Sequence, residues 1–462
     1  MREPCFNTLP RPQPVALAGR RVLVLGAGDT GVSVAQWVAR EGGSVRVADT
    51  RAAPPRMAEL GGELRTGPFA NALLDGVNLV CISPGLALSE PVVREALARG
   101  LPVVGDIELF AWAVRARPGA TVIAVTGTNG KTTVSALTGH LLRSAGVDCE
   151  VAGNIGPAAL EALDKRRATP PAAWVLELSS YQLETTWSLE PQVAALLNLS
   201  EDHLDRYRGL EDYAAAKARI FMGRGLQVLN RDDARSMACV LSGRRVVTFG
   251  RDAPPRDEDF GLGAEGERRW LQRGRTRLLA LDELPLFGLH NALNALAACA
   301  LAQAAGAPLE ALAAGLRSFR GLPHRLERVA LRRGVAWYDD SKGTNVGATI
   351  AALEGLGGKA LLIAGGEGKG QDFAPLAPVV ARHARRVLLI GRDAPLIGQA
   401  LRASGVPLEH CESLERAVAR AAACALSGDA VLLSPACASF DMFRDYRQRG
   451  EAFAAAVRAL GA

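Results

Sequence analysis

Lysine is rare in this sequence, and its positions point to possible chemistry. The chain has six lysines, and because lysine and arginine together number 54, it has 48 arginines. Arginine carries a permanently charged planar guanidinium, whereas the compact amine of lysine can lose its proton or enter a narrow anion site. Four of the six lysines lie in short motifs rich in glycine, hydroxyl and acidic residues. These lysines therefore mark positions where a primary amine is needed.

The first such motif is a candidate phosphate loop. Gly127-Thr-Asn-Gly-Lys-Thr132 follows the apolar run 120–125 and precedes a helical pattern that ends near Arg143. Small residues expose backbone N–H groups to phosphate, the lysine supplies a point cation and the hydroxyl can bind a metal ion. Val125 occupies the place of the first glycine of the strict G-x-x-x-x-G-K pattern. The strand and helix on either side nevertheless predict a nucleoside triphosphate site.

Two acidic strand ends are expected to face this loop. Glu177 ends the apolar run 173–176, and His203 follows the run 193–199 within Ser-Glu-Asp-His. Because ligands gather at the carboxyl ends of parallel strands, Glu177 is a candidate magnesium ligand. His203 is a weaker candidate, since a single histidine is more often a structural group.

Lys217 lies in an alanine-rich helical stretch with few other polar residues. A surface lysine whose stem packs on the helix is one interpretation. An amine that must lose its proton, for covalent modification or metal ligation, is the other.

The N-terminal segment contains a dinucleotide fingerprint. Gly26-x-Gly28-x-x-Gly31 follows the apolar run 21–25, and Asp49 ends the next strand pattern. Glycines at this turn allow close approach to a diphosphate, and an acid at the second strand end can bind a ribose. Alone, the fingerprint fits an NAD(P)-dependent oxidoreductase as well as another nucleotide-binding protein.

Repeated strand and helix patterns predict an α/β fold with three domains. We expect a proline-rich, flexible leader (1–18), an N-terminal Rossmann-like parallel sheet (19–110), a central P-loop ATPase-like domain (111–320) and a C-terminal Rossmann-like domain (321–462). The stretch 250–280 is expected to form hairpins or loops at the edge of the central domain.

Composition excludes several classes of protein. The net charge is +6, but no basic run with interleaved aromatic residues suggests a nucleic-acid groove. Eight cysteines without a C-x-x-C pair predict reduced core thiols in a cytoplasmic protein. The alanine-rich stretch 292–307 predicts a buried helix, and we expect no membrane insertion.

A series of further motifs spans the chain. They are 126–133 (TGTNGKTT), 176–184 (LELSSYQLE), 197–207 (LNLSEDHLDRY), 290–294 (HNALN), 321–325 (GLPHR), 340–345 (DSKGTN) and 434–439 (SPACAS). Together they resemble the Mur ligases of peptidoglycan synthesis. The motifs 49–51 (DTR), 83–85 (SPG), 105–110 (GDIELF) and 441–450 (DMFRDYRQRG) narrow the resemblance to the branch that adds D-glutamate to UDP-N-acetylmuramoyl-L-alanine.

The resemblance implies a role for each matching residue. The uridine diphosphate sugar, rather than NAD, would bind Asp29, Thr30, Asp49, Thr50, Arg51, Ser83, Pro84, Gly85 and Asn154. ATP would bind Gly127, Thr128, Asn129, Gly130, Lys131, Thr132, Thr133, Asn291, Asn294, Arg325 and Asp340. Two Mg²⁺ ions would be held by Thr132, Glu177, His203 and a carbamate formed from CO₂ on Lys217. D-Glutamate would bind Lys342, Thr344, Lys369, Ser439, Phe440 and Tyr446, and the catalytic residues would be Lys131, Glu177, His203, Lys217 and Lys342.

The implied reaction is ATP-dependent amide formation through an acyl phosphate, in a monomer whose partners are its small-molecule substrates. Asp29 departs from the neutral residue expected beside a diphosphate, so any contact there would be through its backbone.

Three alternative functions remain open at this point. They are an oxidoreductase, a nucleotide-gated regulatory protein and a sibling ligase that adds a different amino acid.

Overall fold

The computed structural model describes residues 9–202, 206–356 and 358–460. They form three α/β units, each built on its own sheet with helices packed against it, as the sequence predicts. In the described part of the chain no helix combines the length and apolar character that crossing a membrane requires.

The first sheet is parallel, with the strand order β3-β2-β1-β4-β5. Its strands are β1 (Arg21–Leu25), β2 (Ser44–Asp49), β3 (Glu63–Thr66), β4 (Leu79–Ile82) and β5 (Val103–Val104), and its helices are α1 (Asp29–Arg40), α2 (Pro91–Ala98) and α3 (Asp106–Arg115). Strands β1 to β3 are added towards one edge of the sheet, whereas β4 and β5 are added towards the other edge, so the strand order reverses between β1 and β4. A crevice therefore opens at their carboxyl ends, where ligands of such sheets bind. The domain boundary predicted at residue 110 falls inside α3 and stays a prediction.

The central sheet has nine strands in the order β14-β13-β12-β11-β10-β9-β6-β8-β7. The strands are β6 (Thr121–Thr126), β7 (Cys149–Gly153), β8 (Ala173–Glu177), β9 (Val193–Leu196), β10 (Leu226–Asn230), β11 (Val246–Phe249), β12 (Phe260–Glu265), β13 (Arg268–Arg273) and β14 (Thr276–Ala280). The helices are α4 (Lys131–Ser144), α5 (Ala159–Lys165), α6 (Ser180–Glu184), α7 (Leu210–Ala218), α8 (Ala234–Met237), α9 (Leu289–Ala304) and α10 (Leu309–Ser318). The antiparallel strands β12 to β14 confirm the hairpins predicted for 250–280.

The third sheet has the order β15-β16-β20-β17-β18-β19 and is parallel except for the β15–β16 hairpin. Its strands are β15 (Glu327–Arg332), β16 (Val335–Asp339), β17 (Ala360–Gly365), β18 (Ala384–Ile390), β19 (Leu408–His410) and β20 (Ala430–Leu433). Its helices are α11 (Val346–Gly355), α12 (Ala377–His383), α13 (Ala394–Leu401), α14 (Leu414–Cys424) and α15 (Tyr446–Ala459). Every residue of β17 is buried, as expected for a central strand covered by helices on both faces.

The first and central units share one apolar core. The ring of Phe110 on α3 meets that of Trp174 on β8 edge to face, with centroids 5.3 Å apart. Both rings belong to a cluster that continues from the first sheet onto one face of the central sheet. The third unit instead has cores of its own on the two faces of its sheet.

A buried carboxyl group lies at this shared interface. Asp106 at the start of α3 is 1% exposed, and its Oδ2 accepts a hydrogen bond of 3.2 Å from Gln182 Nε2. Its Oδ1 has no donor among the described residues. Burial raises the pKa of Asp106 from 3.8 to about 6.

Asp106→Asn is therefore expected to stabilise the protein at neutral pH. The folded state keeps the Asp106 proton up to about pH 6, whereas the unfolded chain loses it near 3.8. The group thus favours folding below pH 4, and this contribution is lost as the pH rises to 6. A rise of roughly two pKa units corresponds to at most about 3 kcal/mol. Urea unfolding at pH 4.5 and 7.5 should show a weaker pH dependence for Asp106→Asn than for the wild type.

The matched control is Asp75→Asn, because Asp75 is an exposed acid of the same domain. It should leave the pH dependence unchanged. An Asp106→Asn protein no more stable than the wild type at pH 7.5 would contradict a raised pKa of the Asp106 carboxyl.

Candidate active site

The phosphate loop joins β6 to α4, as predicted. Gly127 and Gly130 have φ angles of +154° and +86°, which side chains rarely adopt. A Cβ on Gly130 would collide with the side-chain amide of Asn294. Lys131 Nζ donates to the carbonyl oxygens of Gly127 at 2.9 Å and Thr128 at 2.8 Å. The amine is therefore held over the loop.

Asn198, which the sequence analysis did not single out, holds the loop in shape. Its Oδ1 accepts from Asn129 N at 2.8 Å, and its Nδ2 donates to Asn129 O at 3.0 Å. Asn198 follows β9, the strand beside β6 in the sheet. The sequence did contain a signal for this role, because Asn198 is an amide residue just after an apolar strand that was expected to lie near the phosphate loop.

Glu177 ends β8, next to the loop, and its two carboxylate oxygens have different surroundings. Its Oε1 accepts a hydrogen bond of 2.6 Å from Asn154 Nδ2. Its Oε2 is shielded from solvent and has no hydrogen-bond donor in the described part of the protein. A buried carboxylate oxygen needs a compensating charge or donor. The position therefore fits a divalent cation, for which carboxylate oxygen is a preferred ligand.

Lys217 is fully enclosed beside the loop. Its side chain is 1% exposed, and its Nζ lies 3.5 Å from Thr126 Oγ1 and 4.6 Å from the centroid of the Tyr213 ring. Burial, and then the like charge of Lys131, lowers the pKa of Lys217 well below its usual value. A lowered pKa favours the neutral form of the amine, which is the form that can act as a nucleophile.

Two residues of this environment were missed by the sequence analysis. Tyr213 precedes Lys217 by four positions, so both project from the same face of α7. Asp202 precedes His203 and favours the charged form of Lys217. The predicted metal ligand His203 lies outside the described residues, and its role stays a prediction.

A cavity of about 520 Å³ lies between the central and third units beside the loop. Within it, Asn294 Nδ2 donates to Asn291 Oδ1 at 3.1 Å, and Asn291 Nδ2 donates to Phe287 O at 2.8 Å. Burial raises the pKa of Asp340 to about 7, although Ser434 Oγ donates to its Oδ2 at 2.7 Å.

Two side chains of the third unit reach the phosphate loop directly. Arg325 Nη2 donates to Thr132 Oγ1 at 2.5 Å, and Asn345 Nδ2 donates to Asn129 Oδ1 at 3.1 Å. The third unit thus lies directly against the phosphate loop. Asn345 also caps α11 through Ala348 N and was not singled out from the sequence.

Four further candidates of the third unit form two pairs, each with a lysine beside an aromatic ring. Lys342 Nζ lies 3.9 Å from the centroid of Tyr446, and Lys369 Nζ lies 5.6 Å from that of Phe440. Burial, followed by the charge of Arg325, lowers the pKa of Lys342 to about 8. A bound carboxylate would favour its protonated form.

In the first unit, Asp49 shapes the glycine turn. Its Oδ2 accepts from Ala27 N and from Arg51 Nη2, both at 2.7 Å, while its Oδ1 accepts from Arg51 Nε at 2.8 Å. The guanidinium lowers the pKa of Asp49 to about 2. The carboxylate of Asp29 is exposed and pairs with Arg56 at 3.1 Å.

A central cavity of about 1050 Å³ opens where the three units meet. The predicted site residues that line it are Pro84, Gly85, Thr128, Asn129, Gly130, Lys131, Thr132, Asn154, Glu177, Lys217, Arg325, Lys342, Thr344, Lys369 and Tyr446. Those that line the smaller cavity are Asn129, Gly130, Thr133, Asn291, Asn294, Arg325, Asp340 and Lys342. Predicted residues on neither wall are Asp29, Thr30, Asp49, Thr50, Arg51, Ser83, Gly127, Ser439 and Phe440.

Fold and site together define a three-domain α/β protein whose phosphate loop faces a cavity shared by all three units. Family models match each unit: the "Mur ligase MurD-like, N-terminal domain" at 20–105, the "Mur ligase middle domain" at 125–302 and the "Mur ligase, glutamate ligase domain" at 324–437. The chain therefore belongs to the Mur ligase family.

Among its curated relatives are two UDP-N-acetylmuramoylalanine–D-glutamate ligases. The one from Nitrosospira multiformis is 55% identical over 96% of this chain and 97% of its own length. The one from Thiobacillus denitrificans is 54% identical over 96% and 98%. A UDP-N-acetylmuramate-alanine ligase of known structure from Thermotoga maritima has the same fold, with a TM-score of 0.61, 20% identity and coverage of 96% and 100%.

Proposed function

We propose that this protein is an ATP-dependent ligase that joins D-glutamate to UDP-N-acetylmuramoyl-L-alanine in peptidoglycan precursor synthesis. The observation that carries the proposal is the central cavity, whose walls come from three chemically different surfaces. One is formed by Pro84 and Gly85, the second is the phosphate loop, and the third carries Lys342 and Lys369. The names of relatives more than half identical over nearly the whole chain support this choice of substrates.

The reaction has two steps. A carboxylate oxygen of UDP-N-acetylmuramoyl-L-alanine attacks the γ-phosphorus of ATP, and the bond to the β–γ bridging oxygen breaks as ADP leaves. The amine of D-glutamate then attacks the acyl phosphate carbon, a C–N bond forms, and phosphate and a proton leave. The first step brings two anions together, so positive charge at the phosphate loop must offset their repulsion.

The residues of the central unit suit this requirement. Lys131 Nζ is held over the loop, where it would neutralise β- and γ-phosphate oxygens. Two Mg²⁺ ions would be held by Thr132, Glu177, His203 and a carbamate on Lys217. Glu177 would use its buried Oε2, which has no hydrogen-bond donor among the described residues. Bound Mg²⁺ would withdraw charge from the phosphoryl group in the in-line transition state. Asn291, Asn294, Arg325 and Asp340 would contact the rest of ATP.

The carbamate would arise from the neutral amine of Lys217. Its nitrogen attacks the carbon of CO₂, an N–C bond forms, one C–O π bond becomes an oxyanion and the nitrogen loses a proton. The low pKa of Lys217 supports this reaction, because only the unprotonated amine has the required electron pair.

The proposal is tested by phosphate release from ATP in the presence of UDP-N-acetylmuramoyl-L-alanine and single amino acids. D-Glutamate is expected to stimulate release, while L-glutamate, L-alanine and diamino acids should not. Stimulation by one of the other amino acids instead would indicate a sibling ligase. No stimulation by any of them would contradict the proposal.

Within this function, Lys369 is proposed to bind a carboxylate of D-glutamate. Lys369→Met is expected to raise KM for D-glutamate about tenfold or more, since a charge-assisted hydrogen bond is lost. KM for ATP and for the sugar nucleotide should change little, because Lys369 lies on the third-unit wall. Initial rates with each substrate varied in turn would measure this.

Lys359→Met is the matched control. Lys359 is exposed, and its Nζ donates to Arg382 O outside both cavities. It should leave all three KM values unchanged. Equal rises of all three KM values in Lys369→Met would rule out a specific D-glutamate contact.

A further inference from the structure

Arg206 connects the first unit to the central unit beside the central cavity. Its Nη1 donates to Pro84 O at 3.1 Å, and its Nη2 donates to Glu184 Oε2 at 2.7 Å. Its guanidinium carbon lies 4.2 Å from the centroid of the Tyr181 ring. The side chains of Arg206 and Glu184 are only 13% and 4% exposed. The contact is thus a largely buried, directed ion pair rather than a solvated surface pair.

The carbonyl that Arg206 binds belongs to the turn that packs on the glycine fingerprint. Ser83 Oγ lies 3.4 Å from Gly26 O, and a Cβ on Gly26 would lie 2.8 Å from Ser83 Oγ. Pro84 and Gly85 also line the central cavity. A movement of this turn would therefore alter the wall proposed to hold the sugar nucleotide.

The other side of the contact is tied to the proposed metal site. Glu184 ends α6, which begins only three residues after Glu177, the last residue of β8. The start of α6 is held by a capping box, in which Ser179 Oγ accepts from Gln182 N and the Gln182 side chain accepts from Ser179 N. Glu184 is thus held at a defined distance from Glu177.

We propose that Arg206 is a positioning residue that holds the Ser83-Pro84-Gly85 turn at a fixed position relative to the phosphate loop. It would do so by binding Pro84 O and Glu184 with two separate guanidinium nitrogens. This inference rests on the proposed function and adds a residue that sets where the sugar nucleotide lies relative to ATP. A lysine has one ammonium nitrogen on a flexible stem and cannot reproduce the planar two-sided contact.

Arg206→Gln and Arg206→Lys are the test variants, with Arg208→Gln as the matched control. Arg208 lies two residues further on, is about half exposed, and pairs with Asp212 within its own segment. Both Arg206 variants should raise KM for UDP-N-acetylmuramoyl-L-alanine about tenfold or more, with KM for ATP within about twofold of wild type. Arg208→Gln should leave both KM values unchanged.

Removing Arg206 leaves the buried Glu184 carboxylate without this partner, which can itself impair folding. The double variant Glu184→Gln/Arg206→Gln removes that charge while still lacking the link to Pro84. It should fold and should show the same rise in KM for the sugar nucleotide as Arg206→Gln.

Hydrogen exchange supplies a readout that does not depend on activity. Backbone amides of 79–90 should exchange faster in Arg206→Gln and in the double variant than in Arg208→Gln. Unchanged exchange, or equal rises of both KM values together with a lower Tm in every Arg206 variant, would overturn the inference. Failure of the proposed function is a separate result, because wild-type protein would then release no phosphate in response to D-glutamate.

Discussion

Lys217→Arg is expected to lower kcat by about 1,000-fold or more, the scale on which loss of transition-state charge stabilisation acts. A guanidinium does not lose its proton at physiological pH and cannot form a carbamate with CO₂. The substitution would also enclose a permanent cation beside Lys131, in a pocket that already disfavours charge on Lys217. Steady-state rates under saturating substrates would measure the loss.

Lys165→Arg is the matched control for this prediction. Lys165 is exposed and pairs with Glu161 at 2.7 Å on the surface of α5, so the same change should leave kcat unaltered. Wild-type activity should also fall in CO₂-free buffer and return on addition of bicarbonate. With ¹³C-bicarbonate, a carbamate resonance should be present in the wild type and absent in Lys217→Arg. Full activity of Lys217→Arg in CO₂-free buffer would exclude the carbamate.

Lys131→Ala is expected to produce a loss of kcat of similar size, about 1,000-fold or more. The amine sits over the phosphate loop through its hydrogen bonds to Gly127 O and Thr128 O. Alanine removes this cation and leaves the loop glycines Gly127 and Gly130 in place. Binding of ATP should weaken in calorimetry, whereas binding of the sugar nucleotide should not change, because its proposed wall belongs largely to the first unit.

Lys131→Ala has a second consequence that distinguishes it from simple misfolding. The like charge of Lys131 contributes to the lowered pKa of Lys217, so its removal should raise that pKa. Carbamate formation would then require a higher pH or more bicarbonate. A variant that keeps full amide-forming activity would contradict both the loop assignment and the mechanism.

The ends of the buried strands could be predicted from sequence because each is marked locally. An apolar run followed by glycines or an acid defines β1 before Gly26, β6 before the phosphate loop and β8 at Glu177. Parallel pairing then brings β6 and β8 side by side, and the loop next to Glu177. Local patterns carry this information because backbone preference and strand burial act over a few residues.

Other parts of the site depend on side-chain directions that no local pattern contains. Asp49 illustrates this, since its position fits a ribose ligand while its oxygens bind Ala27 N and Arg51. Asn198 after β9 and Tyr213 four residues before Lys217 stand at informative positions, but these positions do not say which neighbour each side chain reaches. Each acts on a neighbour through a contact that becomes visible only when the chain is folded.

The sequence by itself determined the chemical repertoire of this protein: a phosphate loop, acidic strand ends and a few lysines among many arginines. Only the tertiary structure decided that Lys217 is enclosed with a lowered pKa and that Arg206 joins two units. It also decided that one buried oxygen of Glu177 has no hydrogen-bond donor among the described residues. The physical reason is that residue type and spacing set what a group can do. Burial and the charges around it depend on residues far away in sequence and set what it does.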